Sequence, residues 1–491
     1  MDFAAALTNE ARYTLTENGA VAYNSTLNAC LDFFGLVGAL RNADENRIRV
    51  LFDEAFAENP TLALRTVFYG RDVRGGLGER RTFRILLTHI AKEYPEALAP
   101  YINLIPEFGR YDDWYCLIDT PLEKYMWAAM GLQFDKDLEN YSEKKPISLL
   151  AKWLKTADAS SPRTRALGIK TALNLKLQVK SYKRLVRMLR KYLKVVEPLM
   201  STNKWSEIEY PSVPSKAMNN YRNAFGRHDE KRFDEYLDNV KNGVTKINAS
   251  TLYPYDIVEK YLYRHEGGPV LEEQWKALPN YVEGENSAIV MADVSGSMSG
   301  RPMATSVGLA LYFAERNKGA YHNKFMTFST YPHIVEVKGR TLEDKFRNIS
   351  KSDWDMSTDL ERALEEVLNI ALRNNVPREE MVKSIIIISD MEIDSATSER
   401  GYYGGYQKVK KDFYSQMKAK FAFAGYDIPN IVFWNVESRH NVFHADSDRE
   451  GVQLCSGQSA ATFKTLMKSL GMTPVEYMES VLNSERYAVI K

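Results

Sequence analysis

Through the first half of the chain, apolar residues recur every three or four positions. Ile48, Leu51, Phe52, Ala55 and Phe56 mark one face of a helix over 46–57. Leu62 to Tyr69 repeats the pattern behind Pro60, a residue suited to the first turn of a helix. Phe83 to Tyr94 is a third such stretch, closed by Pro95, and 211–244 holds two more. Residues 1 to about 25 are weakly patterned and are expected to pack as an arm. After the breaker Glu266-Gly267-Gly268-Pro269 the period changes. Continuous apolar runs at 288–293 and 384–390 predict buried strands, and further strands are expected at 430–436 and 452–455. Strands 324–330 and 333–338 make a hairpin around Tyr331-Pro332. Helical stretches at 303–317, 341–350, 359–374 and 407–419 lie between the strands, and two short helices end the chain. Such alternation is the signature of a doubly wound sheet. The fold class is therefore α followed by α/β, divided into an all-helical domain over 1–285 and an α/β domain over 286–491.

The strand expected at 288–293 runs straight into Asp293-Val294-Ser295-Gly296-Ser297. One carboxylate and two hydroxyls at alternate positions are hard oxygen donors, and hard donors on a tight loop suit a hard divalent cation, Mg²⁺ first. Thr358 lies just before a predicted helix, and Asp390 follows the strongest apolar run, Ile385-Ile386-Ile387-Ile388. In an open α/β sheet such loops converge beyond the carboxyl ends of the strands. Asp293, Ser295, Ser297, Thr358 and Asp390 are the candidate metal ligands. Read alone, Ser-Gly-Ser is also a helix N-cap and turn. The seven histidines have no HExxH or HxH spacing, and no nucleophile–base pair accompanies the loop, so a binding role is expected rather than an enzyme.

Composition changes the picture in one place only. Basic and acidic residues number 65 and 64, yet from Arg163 to Lys194 there is no acid at all. Lys176, Lys180, Lys183, Arg184, Arg187, Arg190 and Lys191 fall there, among Leu185, Val186, Leu189 and Tyr192 at helical spacing. A basic helix face is the footprint expected for a polyanion such as RNA. A solvated face and a helix lying on a membrane carry the same pattern. The loop Gly70-Arg71-Asp72-Val73-Arg74-Gly75-Gly76-Leu77-Gly78-Glu79-Arg80-Arg81 adds Arg71, Arg74, Arg80 and Arg81 as candidate RNA contacts. It lacks the P-loop pattern, so it reads as direct phosphate contact or as a solvated turn. Asp112-Asp113 is expected to cap a helix. Three scattered cysteines argue against a disulfide framework, and no apolar run could span a bilayer. A cytoplasmic monomer is expected.

The Asp293, Ser295, Ser297, Thr358 and Asp390 pattern resembles the metal-ion-dependent adhesion site of von Willebrand factor A domains. Over roughly 25–485 the chain resembles a domain-of-unknown-function family joining a Ro-like helical region to such a domain. The shared stretches are RDVRGGLGERR (71–81), LIPEFGRYDDW (104–114), LLAKWL (149–154), VPSKAM (213–218), INASTLYPYDIV (247–258), MADVSGSMSG (291–300) and SDMEID (389–394). The better-known relative is the Ro autoantigen, or TROVE, family, in which HEAT-like helical repeats form a ring closed by a Rossmann-like A domain. The resemblance implies binding of structured or misfolded small RNA by the helical part. It implies a divalent cation in the A domain that docks an acidic side chain of a partner. A metal-dependent protein-interaction scaffold without RNA binding is the competing expectation.

Overall fold

A computed structural model describes residues 13–18, 21–283, 287–328, 334–349, 360–393 and 413–491. Contacts divide the chain into two compact units, at places other than the 285/286 boundary expected. One unit gathers the described residues of 1–70, 75–79 and 252–491, and the other gathers 71–74 and 80–251.

The first unit is built on six strands: β3 (Ala288–Asp293), β4 (Lys324–Phe328), β5 (Ile334–Glu336), β6 (Ser384–Ser389), β7 (Asn430–Asn435) and β8 (Val452–Ser456). Their order is β5-β4-β3-β6-β7-β8. All neighbours are parallel except β4 and β5, the expected hairpin. Every residue of β3 and β6 is buried, which is why both read as unbroken apolar runs rather than alternations. From β3 the chain winds first to one side (β4, β5) and then to the other (β6, β7, β8). The carboxyl ends of β3 and β6 therefore flank the point where the winding reverses, the place where open α/β sheets hold ligands. Helix Arg301–Arg316 lies on β3 with its 304–314 stretch wholly buried, and helix Pro254–Arg264 packs on that helix.

The beginning of the chain belongs to this unit for a physical reason. Helix Ala29–Leu36 buries Cys30 to Leu36 without interruption, so it has no face to offer water. It packs on β8. A Cβ on Gly38 would sit 2.7 Å from the backbone of Gly457 and Ser456, so only glycine permits this approach. Ahead of it, β1 (Tyr13–Leu15) and β2 (Val21–Tyr23) form an antiparallel hairpin, and Tyr23 bridges Phe443. The expected arm is thus a strand pair, whose three-residue strands carry too little periodicity to read.

The middle of the glycine-rich loop is not a solvated turn. Leu77 and Glu79 are 2% exposed, and Glu79 pairs with Arg41. At Gly78, φ is +71° and a Cβ would overlap the Tyr253 hydroxyl. Burial, not solvation, holds residues 76–79, while Gly75 is exposed.

The second unit is helical, with no strand among its described residues. Its longer members are Arg81–Glu93, Glu123–Ser142, Pro162–Asn174, Val179–Tyr192, Ser215–His228 and Glu230–Lys241. Asp112 and Asp113 open a 3₁₀ turn, Tyr111–Leu117, where Asp113 accepts from the Arg110 backbone N–H as an N-terminal cap does. No helix of the described residues is long and apolar enough to cross a membrane. The three cysteines are unpaired.

Candidate functional site

β3 ends on Asp293, whose carboxylate is wholly buried. Its Oδ1 accepts from the Ser295 N–H at 2.9 Å and its Oδ2 from the Ser389 hydroxyl at 2.6 Å. The loop then brings the Ser295 and Ser297 hydroxyls to 3.1 Å of each other. From the end of β6, Asp390 adds a second carboxylate, 2% exposed. Its Oδ1 accepts from the Glu392 N–H, while its Oδ2 is buried with no hydrogen bond. Burial first, and the neighbouring charge of Asp390 as well, push the Asp293 carboxyl up to about 6 against the hydrogen bonds from Ser295 and Ser389.

Two buried carboxylates beside two hydroxyls fit a hard divalent cation, and the orphaned Asp390 Oδ2 is the observation that favours one. Asp293, Ser295, Ser297 and Asp390 would hold it. Thr358 lies outside the described residues. Met391, immediately after Asp390, has φ +66°, an uncommon conformation for a residue with a Cβ. The half-buried His444 ring sits 3.1 Å from the Met391 carbonyl.

Arg439, beyond the end of β7, is the cation the structure itself places at this site, and sequence reasoning missed it. Its Nη2 donates to the Ser297 carbonyl at 2.8 Å and lies 3.6 Å from Asp390 Oδ2. Its Nη1 donates to Glu17 at 2.8 Å. Glu17 is fixed in turn, since its N–H donates to Glu392 Oε2 at 2.6 Å and the Asn18 side chain donates to the Glu392 carbonyl. His440 lies within 3.7 Å of both Glu17 and Glu392. The available signal was the Ser438-Arg439-His440 run just past an apolar strand.

In the helical unit the predicted RNA contacts separate into two groups. Helix Val179–Tyr192 buries Tyr182, Val186 and Leu189. On its other side Lys180, Arg184, Arg187 and Lys191 are exposed, and Lys176 is exposed in the preceding turn. These five have no ion-pair partner among the described residues. Lys183 pairs with Asp158 at 2.8 Å and is half-exposed. Arg190 is a correction: it donates to the carbonyls of Ala151 and Leu154, closing the short helix Leu150–Trp153. Arg71 is a correction too, being 2% exposed and bound to Asp113 at 2.9 Å. Both carry charge that the fold uses internally. Arg74 is exposed and reaches the Glu107 carbonyl, and Arg80 and Arg81 are exposed.

The fold and sites define a two-unit protein: a helical unit with a cationic helix face, and an α/β unit with a carboxylate–hydroxyl loop at its switch point. Residues 16–107 and 147–286 match a family described as Domain of unknown function (DUF2828), and 287–488 match Domain of unknown function (DUF7788). The chain is 27% identical over 516 residues to "Uncharacterized protein L728" of Acanthamoeba polyphaga mimivirus, with 96% of this chain and 87% of that protein covered. No solved structure matches it significantly.

Proposed function

We propose that this is an RNA-binding protein of Ro-like type. The helical unit holds the RNA backbone, and the α/β unit, an A-domain-like sheet, carries a Mg²⁺-dependent adhesion site for an acidic partner group. The observation that carries this reading is the stripe of Lys180, Arg184, Arg187 and Lys191 on one helix face, without an ion pair among the described residues and with Lys176 exposed in the turn before it. An unneutralised row of cations attracts a polyanion through counterion release, which gives affinity without base readout. The metal half is supported by the loop's position at the switch point and by the unsatisfied Asp390 Oδ2.

The test is binding to a hairpin RNA with a single-stranded 3′ tail, set against the same hairpin blunt-ended and a matched DNA, at several salt concentrations. Preference for the tailed RNA and steep weakening with salt are expected. Equal weak binding to all three would overturn the reading. In that case the metal-dependent scaffold stands, a reading favoured by the unsatisfied Asp390 Oδ2.

A further inference from the structure

Three stretches of the helical unit that are distant in sequence meet in one charged cluster. Arg84 comes from helix Arg81–Glu93, Arg110 and the two aspartates from the turn at Tyr111–Leu117, and Lys155 from just past helix Leu150–Trp153. Asp113 takes Arg71 at 2.9 Å and Arg84 Nε at 2.6 Å. Asp112 takes Arg84 Nη2 at 2.7 Å and Arg110 Nε at 3.0 Å. Three of the four carboxylate oxygens accept hydrogen bonds or close ion contacts, and Asp112 Oδ1 has only the Arg110 Nε contact. Lys155 is left with the Tyr115 ring, 5.3 Å from its Nζ, and no ion-pair partner among the described residues. Arg80, exposed at the start of helix Arg81–Glu93, adds its field at both Arg110 and Lys155. Five cations against two carboxylates, 5 − 2, leave an excess of three positive charges.

That excess acts on Lys155 together with its burial. Burial first, and then the Arg84, Arg110 and Arg80 guanidiniums, push the Lys155 ammonium below the usual lysine range despite Asp112. Arg84 Nη2 and Arg110 Nε lie buried against Asp112 without an aligned hydrogen bond, so the pairing inside the cluster is incomplete. Arg110 itself is held in place over the Trp153 ring at 4.0 Å. A preorganised, partly desolvated group of guanidiniums and an ammonium with surplus charge is an anion site. We propose that Arg80, Arg84, Arg110 and Lys155 bind a phosphate monoester, whose double charge and several oxygens match forked and point-charge donors together. The inference does not depend on the RNA reading, because the same chemistry would take a free phosphate or the terminal phosphate of an oligonucleotide.

The experiment is calorimetric titration of the full chain with inorganic phosphate, and then with an RNA oligonucleotide bearing either a 5′-phosphate or a 5′-hydroxyl. Lys155→Gln and Arg80→Gln are the variants, neither of which breaks an ion pair among the described residues. Phosphate binding should weaken roughly tenfold or more in each. It should be unchanged in Arg184→Glu/Arg187→Glu, which tests the helix stripe instead. If the 5′-phosphate tightens oligonucleotide binding and Lys155→Gln removes the gain, the site is occupied by an RNA end. If it adds nothing while inorganic phosphate still binds, the site serves a small phosphate. Either result supports the site. No phosphate binding by the unaltered chain, or equal binding in both Gln variants, would overturn it.

Discussion

Asp390 Oδ2 is the atom on which the metal reading turns. It is buried, lacks a hydrogen bond, and has Arg439 only at 3.6 Å. A divalent cation at 100 times its Kd stabilises a folded protein by about 2.7 kcal/mol. We predict that Mg²⁺ raises the melting temperature and EDTA reverses the rise, and that Asp390→Ala abolishes the response. A Mg²⁺ response that survives in Asp390→Ala would contradict the ligand set. Near the same loop, burial pushes the His444 ring down to about 4. Its folded pKa lies below its unfolded one, so the neutral ring contributes stability above about pH 6.5 that is lost as pH falls through about 4. The loss amounts to about 3 kcal/mol at most. His444→Gln should flatten the stability profile across that window, and a profile identical to the unaltered chain's would disprove the assignment. At this scale the sequence showed what is local. Asp293, Ser295 and Ser297 share one loop, and Asp390 ends an apolar run. Arg439 and Glu17 were hidden because their partners lie 142 and 375 positions away, at Ser297 and Glu392. The burial of Arg71 was equally hidden, since a sequence gives a charge but not its surroundings.

Helix Val179–Tyr192 shows what periodicity can and cannot reveal. Spacing placed Val186 and Leu189 inside and Lys180, Arg184, Arg187 and Lys191 outside, but it missed the buried Tyr182 and put the exposed Tyr192 on the apolar face. What spacing could not separate was the solvated residue from the structural one, so Arg190 was grouped with its neighbours although it caps Leu150–Trp153. The two faces should respond oppositely to mutation. Leu189→Ala should cost about 2–5 kcal/mol in denaturant melts and leave binding per folded molecule intact. Arg184→Glu/Arg187→Glu should change stability by no more than about 0.5 kcal/mol while weakening RNA binding. The strands divided the same way. β3 and β6 announced themselves because both of their faces are buried, whereas β1 and β2 are too short to show a period.

At the scale of the whole molecule, the apparent boundary near 286 is where the helical pattern yields to the βα alternation and where the two matched families meet. It is not where the compact units part. Phe34 packs on Tyr69 and Tyr477, and Tyr69 on Tyr487, so the first seventy residues complete the core of the sheet unit. These long-range pairings leave no periodic mark, which is why pattern alone divides the chain at 285. A fragment of residues 287–491 should therefore lack a cooperative thermal transition. One that melts as sharply as the full chain would refute that account of the core.

The central claim, that an unpaired cationic helix face holds an RNA backbone, is tested most directly by the slope of log K against log salt. For single-stranded RNA the slope steepens by about 0.7 for each phosphate that the protein neutralises. Replacing Lys180, Arg184 and Arg187 by Glu should flatten it by about 2 and weaken binding at every salt concentration. An unchanged slope in that variant, with RNA still bound, would place the RNA elsewhere and contradict the claim.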